Sequence, residues 1–158
     1  MKAIIIDQGE QYYTLLKKYF KEIDNFQRNY NWLITSYDCH PQDEEIRSKF
    51  LKDVVWLSGD ELTDIMYKED FQWIWGVLSG FTKDISKERA MSCKIPLCEG
   101  NTNIWEEEIE LQHPLANIEI IAWDSTMTVI KSKDEEIINL FCEKYEYVKD
   151  WKTTLQSW

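Results

Sequence analysis

The chain has 158 residues, with 29 Asp and Glu against 18 Lys and Arg, and yet it carries 8 Trp, 8 Tyr and 6 Phe. Disordered acidic chains lack such aromatic content, so the composition predicts a folded protein whose formal charge of −11 lies on its surface. A negative surface repels phosphate backbones and argues against nucleic acid as a partner, and no apolar stretch approaches the ~20 residues of a membrane span.

The length suits one domain, and the scarcity of Gly (5) and Pro (3) leaves no room for a long flexible linker. The apolar run Ala3–Ile6 stops at Asp7, too short for a signal peptide, so a cytoplasmic location with four reduced cysteines is expected. The acidity concentrates in the middle: ten acidic against four basic residues over 29–70, and nine against four over 71–130.

In chain order, Lys2–Asp7 reads as a buried strand. Asp7 and Glu10 have capping-box spacing, and Tyr12, Leu15, Leu16, Tyr19, Phe20 and Ile23 share one helical face, which predicts a helix over 9–23. Asn31–Tyr37 and Asp53–Leu57 are rich in β-branched and aromatic residues and read as strands, separated by a turn or short helix after Pro41. Ser58 and Glu61 form a second capping box ahead of a helix bearing Leu62, Ile65 and Met66. Phe71–Leu78 is apolar on both alternating faces, the pattern of a strand covered on both sides.

Ser86–Met91 reads as a short helix and Cys93–Asn103 as loop. Ile104–Gln112, Asn117–Trp123 and Thr126–Lys131 then suggest a three-strand meander, with Asp124-Ser125 as a tight turn. Ser132–Glu135 repeats the capping-box spacing before a helix with Ile137, Ile138, Phe141 and Tyr145 on one side. The Trp residues of the tail, Trp151–Trp158, are expected to dock it onto the body or onto a second copy. The predicted fold class is α+β: one domain, a mixed or largely antiparallel sheet ending in the meander, and helices packed on it.

No phosphate-binding or nucleophile-elbow motif occurs, so no cofactor is expected. Cys39 or Cys142 with His40 or His113 could form a nucleophile–base pair only through tertiary proximity. Cys93 and Cys98, with Cys39-His40, have loose zinc-ligand spacing, although the intervening apolar residues favour plain burial. The acidic run carries more weight. On a strand, Glu106, Glu108 and Glu110 would share one side at about 7 Å intervals. Such a stripe could dock a basic protein, with Trp105 as anchor, or hold a divalent cation; the plain reading is a solvated or charge-protected sheet face.

This combination resembles small acidic proteins of Gram-positive bacteria, some of which are immunity partners that neutralise a toxin enzyme. The opening Met1–Ile5, Gly9-Glu10-Gln11 and Leu16-Lys17-Lys18 resembles the start of barstar-type ribonuclease inhibitors. Nothing beyond it matches that family's inhibitory helix, so no functional residue is carried over. The resulting expectation is a non-catalytic protein that binds a basic protein partner through Trp105, Glu106, Glu108 and Glu110. The alternative is a small metal-dependent or acid–base enzyme.

Overall fold

The structure, a computed structural model, describes residues 1–156, so Ser157 and Trp158 of the predicted tail lie outside the described residues. Apolar side chains on alternate faces give strands β1 (Lys2–Ile6), β2 (Asn31–Cys39), β3 (Val54–Ser58), β4 (Trp73–Phe81), β5 (Ile118–Trp123) and β6 (Met127–Ser132), with a two-residue β7 (Lys149–Asp150). They form one antiparallel sheet in the order β3-β2-β4-β5-β6-β1-β7. The helices are α1 (Leu16–Glu22), α2 (Glu44–Lys49), α3 (Gly59–Lys68), α4 (Lys87–Met91), α5 (Glu135–Lys144) and α6 (Trp151–Leu155). The class is α+β, as the composition and element order predict. Among the described residues, no helix is long and apolar enough to cross a membrane.

The two faces of the sheet are covered differently. Ile4 and Ile6 of β1, Trp32 and Ile34 of β2, Leu78 of β4, Ile120 of β5 and Ile130 of β6 meet α1, α3 and α5 in the main core. On the opposite face, Ile5, Val77, Ile121 and Val129 are covered by Cys98, Ile104 and Trp151. That cover is largely irregular chain between α4 and β5, containing a 3-10 turn at Thr102–Trp105.

Local signals succeed where the caps are complete. Ser58 Oγ accepts from the Glu61 N–H at 3.2 Å, and the Glu61 carboxylate accepts the Ser58 N–H at 2.8 Å. Asp124 and Ser125 both have positive φ, 48° and 57°, as a two-residue hairpin turn with right-handed strand twist requires. The C-terminal box shifts by two residues: Asp134 caps α5 and Ser132 accepts from the Asp134 N–H.

Two expectations are corrected. The helix predicted from residue 9 begins at Leu16. Asp7 pairs with Lys149 and Glu10 with Lys18 instead of capping, and the Thr14 carbonyl accepts from the Trp73 N–H. Ile104–Gln112 is not a strand, so the meander loses its first member. Both ladders of β5 are filled, by β4 and β6, and β6 pairs onward with β1. The segment therefore lies across the sheet face, and side chains satisfy its backbone where a neighbouring strand would have done so.

Candidate functional site

The far face of the sheet carries a buried polar row. Antiparallel register sets Ser79 of β4 opposite Glu119 of β5, and Glu119 opposite Lys131 of β6. All three are buried. Glu119 accepts the N–H groups of Gln112 at 3.0 Å and His113 at 2.9 Å, and the Ser79 hydroxyl at 3.3 Å. Burial pushes its carboxyl above the usual range, against those donors and the Lys131 charge. Lys131 donates to the Ile104 carbonyl at 2.9 Å and lies 4.3 Å from the centre of the Trp151 ring. Burial pushes its ammonium down to about 8, opposed by Glu119, Glu106 and Glu110. The two charges thus clamp both ends of the segment that carries the acidic run.

The structure brings the predicted carboxylates together by this route. Glu106, Glu108 and Glu110 are exposed and line one concavity of about 190 Å³, together with Lys94, Asn103 and Lys131. They sit on a pinned loop, not on the face of a strand, and the exposed Glu107 lies between them. The Glu106 carbonyl accepts from the Trp151 indole at 3.1 Å. Trp105 is half-buried, stacked on Trp151 at 5.5 Å and edge-on to Trp123 at 4.9 Å. It is a member of an internal aromatic row that continues to Trp75, 4.9 Å from Trp123. Trp151 is fully buried and docks the tail onto the body.

The other sites weighed on sequence are dispersed or occupied. Among the described residues, no group of three or more His, Cys, Asp and Glu is placed to hold a metal ion. Burial pushes the Cys39 thiol up to about 12 and the Cys98 thiol up to about 11, which disfavours the nucleophilic thiolate. Cys98 Sγ also donates to the Ala122 carbonyl. His113 is buried edge-on to Phe81, its Nε2 at 3.0 Å from the Ala90 carbonyl and its Nδ1 accepting from the Leu115 N–H. Both nitrogens are used, and burial holds the ring below its ordinary pKa, so it is a neutral structural side chain. His40 is exposed, 3.1 Å from Asp38.

A larger concavity, of about 570 Å³, lies where β2 and β3 part. β3 pairing ends at Thr35↔Val54, and β2 is irregular between Thr35 and Cys39. Ser36 stands at φ 46° in this bulge. Thr35 Oγ1 donates to the Pro96 carbonyl, and the Cys98 N–H donates to Ser36 Oγ, which fixes residues 95–99 as one wall. Residues 50–54 form the other. No sequence pattern marks a bulge of this kind; the nearest signal is Leu51 set between two lysines in Lys49-Phe50-Leu51-Lys52. Glu119 and Lys131 are not among the residues singled out from the sequence, although each leaves a plainer signal there as the single charge of an otherwise apolar strand, NIEIIAW or TMTVIK. Compared with known proteins, the chain matches no family model, no curated protein and no solved structure.

Proposed function

We propose that the protein is a non-catalytic interaction protein that holds a basic protein partner through Glu106, Glu108 and Glu110, in the manner of an immunity protein that neutralises a cationic toxin enzyme. One observation carries this reading: the carboxylates are exposed on a loop whose backbone is fixed at Ile104, Glu106, Gln112 and His113 by buried side chains. A fixed acidic loop loses little conformational entropy when a partner binds. The net charge of −11 adds a field that draws cationic proteins and repels nucleic acid. The half-buried Trp105 contributes by stiffening the loop from beneath.

The test is capture from native lysate on immobilised protein under rising salt, with the wild type beside the E106K/E108K/E110K triple variant. The expected result is a basic protein held by the wild type, released as salt rises, and not held by the variant. Equal retention by both forms would remove these glutamates from the interface.

A further inference from the structure

We propose that the groove between the β2 bulge and residues 95–99 is a second contact site, which takes an extended cationic polypeptide segment laid along the free edge of β2. This rests on the reading of a basic partner and adds where and how an extended part of it is held. Three features of the groove converge on such an occupant.

The first is backbone. Ser36–Cys39 run past the last β3 pair, and their only ladder is with β4. Among the described residues, they make no backbone–backbone hydrogen bond to the chain that precedes β3; the Tyr37 hydroxyl alone of their side chains donates to a carbonyl there, that of Lys52. An exposed sheet edge of this kind pairs with an added strand. The second is apolar surface. Leu51 is 79% exposed and Leu97 55%, the two most exposed large hydrophobic side chains among the described residues, and both line this groove, with Trp75 and Val54 beside them. The third is charge. Asp38, Asp53 and Glu99 line it against the single cation Lys52. An occupant that alternates apolar and basic side chains meets all three, because alternate residues of a strand point to opposite sides.

The Trp75–Trp123–Trp105–Trp151 row runs beneath the sheet's cover from this groove to the acidic loop, so one partner can reach both sites on one side of the molecule.

The probes are the peptide Lys-Leu-Lys-Val-Lys-Leu-Lys and its counterpart with Glu in place of Lys, each titrated into isotopically labelled full-length protein and followed by NMR. The cationic peptide should produce saturable shifts at the amides of Ser36–Cys39 and at the Trp75 indole, and should slow hydrogen exchange of those amides. L51S/L97S, whose spectrum should otherwise be unchanged because both side chains are exposed, should weaken binding about tenfold. E106Q/E108Q/E110Q, which changes no residue that lines the groove, should weaken the peptide less than L51S/L97S does. Shifts confined to residues 105–110, no binding of the cationic peptide, or equal binding of the anionic one would each overturn the groove proposal. Salt-dependent capture by the acidic loop would survive any of these results, so the two proposals fail separately.

Discussion

Lys131 is the residue at which burial and charge compete most directly. Its Nζ lies over the Trp151 ring and donates to the Ile104 carbonyl, and Glu119, Glu106 and Glu110 are the charges that act on it. Even so, burial dominates and lowers its pKa from 10.5 to about 8. Below pH 8 the amine is protonated in both folded and unfolded chains. Between about 8 and 10.5 the unfolded chain holds a proton that the folded chain has lost, so this group makes stability rise with pH. Cys39 and Cys98 act in the opposite sense: their folded pKa values, about 12 and about 11, exceed the ordinary 9.0, and they lower stability as pH climbs past 9. The Lys131 contribution is therefore isolated by subtraction. In urea titrations of wild type and Lys131→Met, the stability of the wild type relative to the variant should increase by about 3 kcal/mol between pH 8 and 10.5. A difference that stays flat across that range would show that the folded amine keeps its ordinary pKa.

At the scale of elements, what was legible in the sequence depended on whether local chemistry decides the outcome. Ser58 and Glu61 lie within one turn of each other, so the start of α3 could be read directly. The spacing of Asp7 and Glu10 looks the same, but each carboxylate finds a cation, Lys149 or Lys18, and one of these is distant in sequence. Ile104–Gln112 failed as a strand for a global reason, namely that β5 had no free edge, and alternation along the segment cannot report that. The three glutamates were legible as a cluster; the groove was not, because it depends on a bulge and on a loop some sixty residues away. Gly59 shows how tightly the local and global levels meet. A Cβ there would stand 2.2 Å from the Gln27 carbonyl oxygen, which is held from another side by the Trp32 indole at 2.9 Å. Gly59→Ala should therefore destabilise the protein by about 1–3 kcal/mol, despite alanine's better helix propensity. It should also shift the Trp32 indole N–H resonance. An unchanged urea midpoint would mean that α3 can move off the 3-10 turn at Phe26–Asn29 without cost.

At the scale of the molecule, the question is whether the total charge or its placement governs association. A net charge of −11 draws a cationic partner from any direction, whereas a fixed acidic loop favours one orientation of approach. Two variants that change the total equally separate these effects. E106Q/E108Q/E110Q neutralises the loop, whereas D64N/E143Q/E146Q neutralises exposed carboxylates on α3, on α5 and just beyond α5. If total charge governs, both variants slow association with the captured basic protein alike. If placement governs, the loop variant should slow it about tenfold and flatten its dependence on ionic strength, while the other stays within about twofold of wild type. Stopped-flow association at several salt concentrations reads both quantities. Placement is the expected outcome, because the Debye length of about 8 Å at physiological ionic strength screens α3 and α5 carboxylates from a partner docked on the loop. Dissociation of the α3 and α5 variant should likewise stay within about twofold of wild type, since none of its substitutions touches the docked surface. Equal slowing by the two variants would leave the −11 field intact as the cause of encounter and would remove the acidic loop as its focus.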